Sequence, residues 1–243
     1  MARHSTPSVA IILCPIPDGI TAREATAWLS PSAAGDVPVT WTTTLEKLPM
    51  VRDAAHASLQ ATAPTLALDL STPWPTTRQA LRHTLRSARA LWPGLDAAVF
   101  RGPISLDHRD VLVQEGITTA VVDRFDPQPR GSRRPAPRGW PCRSVAWGLW
   151  EVSIGQAARA PLLASLVRWR GGSRKGGLTV LHAAPSGDDP SVPTIRSRLE
   201  RQRAWIRRRS HGGSVRPIRL SDLPSIIAGA EDATLRGSVL RAA

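Results

Sequence analysis

Three aspartates, an arginine and a histidine stand at the ends of strand-like runs, the places where α/β proteins meet their ligands. Asp18 follows the run Ser8–Cys14, Asp69 lies in Thr65–Leu70, and Arg101 follows Ala97–Phe100. Asp123 closes the run from Ile117, and His182 closes Leu178–His182. A carboxylate can hold a metal or take a proton, an arginine can orient a carboxylate or bind an anion, and a histidine can act as a general acid. Asp18, Asp69, Arg101, Asp123 and His182 are therefore the candidate catalytic residues, with Arg101 also a candidate binding group. Two of the carboxylates, Asp18 and Asp69, can hydrolyse a glycosidic bond without metal if they lie within about 10 Å of each other. An ion pair that merely ties strand ends together accounts for Arg101 equally well, and its expected partner is Asp123 or Asp18.

The nine tryptophans outnumber the other aromatic residues. Trp74, just past a strand end, and Trp140, beside a later strand, are candidate flat faces for stacking a sugar ring. Trp28, Trp41, Trp92 and Trp205 fall at core positions by their spacing. His108 is expected at the surface, and His56 and His83 lie on helices without a second ligand at metal-binding spacing. Cys14 closes an apolar run and reads as a small core residue, and two cysteines make neither a disulfide framework nor a metal cluster.

The elements that must position these residues alternate. Ser8–Cys14 is a continuous apolar strand, and Thr21 with Glu24 three residues on forms a capping box for the next helix. Val37–Thr43 is a strand, the segment from Leu45 is helical with Pro49 near its start, and Thr65–Leu70 is a third strand. Leu81, Leu85, Ala88 and Trp92 share one stripe of a helix. After Ala97–Phe100 comes an Arg101-Gly102-Pro103 corner, a helix, the strand from Ile117, and one long strand over Ser144–Val152 with Glu151 near its end. A helix around Ala157–Trp169, the strand Leu178–His182, an arginine-rich helix, a short strand and a closing helix from Ser221 complete the series. Such alternation implies a parallel sheet with helices, in one domain spanning 1–243 with its core over about 8–229.

The 243 residues carry a net charge of +13, and of 32 basic residues only Lys47 and Lys175 are lysine. An arginine bias with abundant alanine and proline is the mark of a GC-rich genome as much as of phosphate binding. The arginines gather in the loop Arg124–Arg143 and in the helix Ile195–Arg209, where Ile195, Leu199 and Ile206 mark a buried face. No run approaches the roughly 18 apolar residues of a membrane span, and no opening segment reads as a signal peptide. The expectation is a cytoplasmic protein without membrane partners.

The order of motifs resembles the polysaccharide deacetylase family (the NodB homology domain). The strand ending Pro15-Ile16-Pro17-Asp18-Gly19 resembles the family's T-F-D-D-G, and Val37-Pro38-Val39-Thr40-Trp41 its V-P-A-T-F. Asp69-Leu70-Ser71-Thr72-Pro73 stands where the family has H-[ST]-x-x-H. Phe100-Arg101-Gly102-Pro103, running through Gly116-Ile117 to Asp123, resembles its F-R-x-P corner and following strand. Val180-Leu181-His182 resembles its L-x-H strand. The resemblance implies a distorted (β/α) barrel of mostly parallel strands and a metal-dependent removal of acetyl groups from sugars. The family's catalytic base falls on Pro17, its aspartate metal ligand on Asp18, and its two metal histidines on Asp69 and Pro73. Asp18 with Asp69 makes a poor zinc site, since zinc prefers nitrogen and sulfur donors, and no cofactor is expected. The expectation is a deacetylase-like protein that has lost the family's usual activity and keeps a carbohydrate-related binding or residual hydrolase role. The alternative is a nucleic-acid or anionic-polymer binding module built on the arginine-rich loop and helix.

Overall fold

The computed structural model describes residues 8–29, 37–57, 64–71, 74–122, 142–146, 148–154, 177–184 and 191–227. Strand β1 (Ser8–Pro15) leads through helix α1 (Ala22–Leu29) to β2 (Thr40–Thr43), and α2 (Leu48–Ala57) leads to β3 (Thr65–Asp69). Helix α3 (Arg78–Leu91) joins β3 to β4 (Ala97–Phe100), and α4 (Leu106–Gln114) joins β4 to β5 (Thr119–Val122). Then come β6 (Cys142–Ala146), β7 (Leu149–Ser153), β8 (Leu178–His182), α5 (Val192–His211) and β9 (Val215–Pro217).

The helix starts are written in local chemistry. In α1 the Thr21 backbone N–H donates to Glu24 Oε2 at 2.8 Å while Thr21 Oγ1 accepts from the Glu24 N–H, which is the expected capping box. Thr77 Oγ1 accepts from the Ala80 N–H at the start of α3, and Ser105 Oγ accepts from the His108 N–H at the start of α4. Pro49 sits in the first turn of α2, where its missing N–H costs nothing.

The strands line up in the order β6-β7-β5-β4-β3-β2-β1-β8, with β9 on β1 beside the amino-terminal half of that strand. Every pairing is parallel except β6 with β7. From β1 to β5 the chain steps one way along the sheet without reversing. Right-handed crossovers that all advance in one direction place their helices on one face, and the sheet curls. The two sheet faces bear this out. Ala10, Ile12 and Cys14 of β1 pack in one core with Trp28 of α1, Val51 of α2, Leu85 of α3, Leu112 of α4 and Ile195 of α5. Val9, Ile11 and Leu13 face the other way, joining Ala67, Val99, Val121 and Val152 in a second core. That inner core is covered by Ile218, Leu220, Leu223 and Ile227 of the carboxyl-terminal segment. The Leu220 N–H donates to the buried Thr40 Oγ1 at 3.1 Å and fixes the segment there. The result is a mixed α/β half-barrel, mostly parallel, with helices outside and side chains filling the curl.

One element differs from expectation. The single long strand over Ser144–Val152 is a hairpin, with β6 and β7 antiparallel and Arg143 opposite Glu151. Gly148 adopts φ 86°, a left-handed conformation that glycine takes without strain, and the chain reverses there. The tryptophans on either side carry the apolar pattern across the turn and hide it.

Candidate functional site

The inner face of the half-barrel gathers three of the five residues expected at the rim. Strand side chains alternate between faces, so residues two apart share one. Asp69 lies two residues beyond the inner-core Ala67 and pairs with Val99, also of that core. His182 pairs with the inner-core Leu13, and Arg101 directly follows β4, two residues after Val99. All three stand at strand carboxyl ends. His182 feels the charges of both Asp69 and Arg101, which places the three within electrostatic reach of one another.

The environment of His182 is the most unusual of the three. Desolvation by burial pushes its pKa down from 6.5 to about 4, and Arg101 adds to the fall. A backbone hydrogen bond at Ala184 and the charge of Asp69 oppose it without reversing it. The residue as a whole keeps part of its surface, yet Nδ1 is sealed from solvent and has no hydrogen-bond partner. The ring is therefore neutral at physiological pH, able to accept or pass a proton but not to hold a charge. The strand end is held from outside, where Gln202 Nε2 of α5 donates to the His182 carbonyl at 3.1 Å. The Ala183 N–H donates to the Leu13 carbonyl at 2.9 Å.

Asp69 turns one oxygen inward to its own loop, Oδ1 accepting from the Ser71 N–H at 2.8 Å. Its second oxygen is left for other use. Arg101 is exposed and, among the described residues, makes no ion pair, so the expected partnership with Asp18 does not form. Asp18 is taken instead by Lys47, whose ammonium also donates to the Ile16 carbonyl at 3.0 Å. The Asp18 carboxylate is 86% exposed. Asp123, the other expected partner of Arg101, and Trp140 lie outside the described residues, as does most of the loop Arg124–Arg143.

The positions expected to meet a metal carry the following groups. Asp18 is an exposed carboxylate engaged by an ammonium, Asp69 caps a turn, and proline at 73 has no donor atom. Among the described residues no group of three His, Cys, Asp or Glu side chains is placed to hold a metal ion.

Trp74 packs against the outer core with its ring edge-on to Phe100 at 5.3 Å and to His108 at 5.7 Å. His108 is buried, contrary to expectation. Its Nε2 lies 3.1 Å from the Pro75 carbonyl, which can only accept, so that nitrogen carries the proton. In the neutral ring, Nδ1 then accepts from the Ser105 hydroxyl. The capping serine thus draws the imidazole inward and ties α4 to the segment before α3. Trp28 and Trp41 are buried together with ring centroids 6.2 Å apart, as their spacing predicts, while Trp92 and Trp205 are half-buried at the edge of the same core. Both cysteines are buried free thiols whose pKa is pushed up by desolvation, that of Cys142 to about 12.

Sequence reasoning missed one charged cluster. Glu151 on β7 is buried between two arginines, Arg109 Nε donating to Oε1 and Arg143 Nε to Oε2, each at 2.7 Å. Arg109 keeps Nη2 buried without a partner. Glu151 was expected at a strand end, but it stands mid-strand on the outer face, in register with Ala120. Reading Gly148 as a turn would have paired residue 143 with 151 by register alone; nothing in the sequence brings Arg109 to them.

No known family profile, curated protein or solved structure matches the chain.

Proposed function

We propose that the protein is a divergent polysaccharide-deacetylase-like half-barrel that binds carbohydrate at the strand-end rim and does not carry out the family's metal-dependent deacetylation. The observation that carries this reading is the rim itself, with Asp69, Arg101 and His182 at three strand ends on one face and His182 within the fields of the other two. Asp69 Oδ2 can accept from a sugar hydroxyl and the exposed Arg101 can donate to a hydroxyl, an acetyl carbonyl or a carboxylate. The one-way order of the parallel strands from β1 to β5 and the position of β8 on the far side of β1 suit the barrel that the motif order implies. In this reading catalysis is lost because the residue that resembles the family's base is Pro17 and the one that resembles a metal histidine is Pro73.

Calorimetric titration with chitin and acetylxylan oligosaccharides, run beside an acetate-release assay with added zinc, tests both halves. The reading expects saturable binding to one of these sugars and no acetate above the blank. Acetate released in proportion to enzyme overturns the loss of activity, and absence of binding to either sugar overturns the carbohydrate role.

A further inference from the structure

Helix α5 carries seven arginines, at 196, 198, 201, 203, 207, 208 and 209, against a single acid, Glu200. Its apolar side is committed to the core, with Ile195, Leu199 and Ile206 buried alongside Gln202 and Arg203. At 3.6 residues per turn, the remaining arginines divide between two flanks of that buried stripe. One flank contains the acid: Arg203 pairs with Glu200 at 3.2 Å, and Arg207 reaches the other Glu200 oxygen at 3.9 Å. Arg196 lies on this side too, its guanidinium 5.1 Å from the Trp28 ring centroid.

The other flank carries no acid of the helix itself, and among the described residues Arg201, Arg208 and Arg209 make no ion pair. Arg201, Trp205 and Arg208 follow one another at steps of four and three residues, which is one ridge along the helix surface. Arg209 adjoins it, with its guanidinium stacked 4.9 Å above the Trp205 ring centroid. Arg201 and Arg208 are exposed, and Trp205 and Arg209 are half-exposed. The ridge from Arg201 to Arg208 is roughly 10 Å long at 1.5 Å per residue. Elsewhere arginine clusters meet acids: Arg82 and Arg86 share Glu115, and Arg109 and Arg143 share Glu151.

We infer that this ridge binds single-stranded nucleic acid. The charge is of the sign and linear spacing that follows a phosphate backbone, and guanidinium forks match phosphate oxygens two at a time. The Trp205–Arg209 stack holds a flat cationic plane at the ridge, a surface on which an unpaired base lies. A lipid surface is a poor fit, because the apolar side that a membrane-lying helix must expose is buried in the core. This ridge lies apart from the strand-end rim and does not depend on the carbohydrate reading.

The test is fluorescence anisotropy with the full chain and a labelled single-stranded oligonucleotide of mixed sequence, at about 50 and about 200 mM salt. A duplex of the same sequence and heparin serve as competitors. Arg201→Ala/Arg208→Ala on the ridge is compared with Arg196→Ala/Arg207→Ala on the acid-bearing flank, each checked for an unchanged melting temperature. The ridge variant is expected to weaken binding about tenfold or more at the lower salt and to reduce the salt slope by about 1.4 units, near 0.7 for each single-strand phosphate no longer neutralised. The flank variant is expected to change binding by less than about threefold. No binding at the lower salt, an equal loss in both variants, or tighter binding of the duplex or heparin than of the single strand overturns the assignment.

Discussion

Replacing Glu151 by alanine is expected to be the most damaging single change among the charged residues. Glu151 is 1% exposed, and its two oxygens accept from Arg109 Nε and Arg143 Nε. Arg109 is itself 4% exposed and already carries one unpartnered nitrogen, so it has no second acid to turn to among the described residues. The substitution leaves two guanidinium groups, 4% and 13% exposed, without their counter-charge. Removing one member of such a buried group costs about 3–5 kcal/mol. For a chain of this length each kcal/mol moves the melting temperature by about 2–4 °C, so the shift is roughly 6–20 °C. Urea denaturation followed by circular dichroism measures the free-energy loss, and a thermal melt the shift. Glu151→Gln, which keeps one acceptor oxygen, should fall between wild type and Glu151→Ala. Replacing all three residues by apolar ones of similar volume (Arg109→Met, Glu151→Leu, Arg143→Met) should recover most of the loss, since no charge is then stranded. A Glu151→Ala loss below about 1 kcal/mol would refute the reasoning, because it is the size expected of an exposed pair.

The remaining expectations concern titration and backbone. His182 has a folded pKa near 4 against 6.5 unfolded, so between these values the unfolded chain binds the extra proton. Stability is therefore lost as pH falls from about 6.5 toward 4, by at most about 3 kcal/mol, and the loss is complete below the folded pKa. Urea midpoints at the two ends of this window should converge in His182→Gln relative to wild type, and an unchanged pH dependence would contradict the burial of the ring. Gly116 and Gly148 both have positive φ, 76° and 86°, and each alanine variant should lose about 1–2 kcal/mol to the left-handed backbone. Gly116→Ala should lose about 1 kcal/mol more, since its Cβ would stand 2.5 Å from Arg89 Nη1, which donates to the Glu115 carbonyl, while nothing among the described residues lies within 4 Å at Gly148. Equal denaturation midpoints for the two variants would rule out that contact.

The mostly parallel sheet flanked by helices was legible because its evidence is local and periodic. Continuous apolar runs such as Ser8–Cys14 mark strands buried on both faces, and stripes such as Leu81, Leu85 and Ala88 mark helices covering them. Alternation then leaves few topologies. The hairpin at Gly148 was illegible because its apolar residues run through the turn, leaving the glycine as the one signal of reversal. Counting to strand ends placed Asp69, Arg101 and His182 at the carboxyl ends of β3, β4 and β8, but did not reveal the competition of Lys47 for Asp18 across α1. His108 looked like a surface residue because nothing in sequence reveals that the Pro75 carbonyl, 33 residues earlier, waits for its Nε2. The bond from Arg109 to Glu151 spans 42 residues and has no sequence signature at all.

The central claim is that Asp69, Arg101 and His182 form one carbohydrate-binding rim, and the His182 ring reports on it most directly. Its imidazole resonances can be followed by NMR while chitin or acetylxylan oligosaccharide is added to wild type and to Arg101→Ala. The account predicts that the His182 signals shift saturably with sugar, and that Arg101→Ala both raises the His182 pKa and weakens the binding, since Arg101 lowers that pKa in the folded protein. His182 signals that stay fixed at saturating sugar, or a His182 pKa indifferent to the loss of Arg101, would contradict the rim.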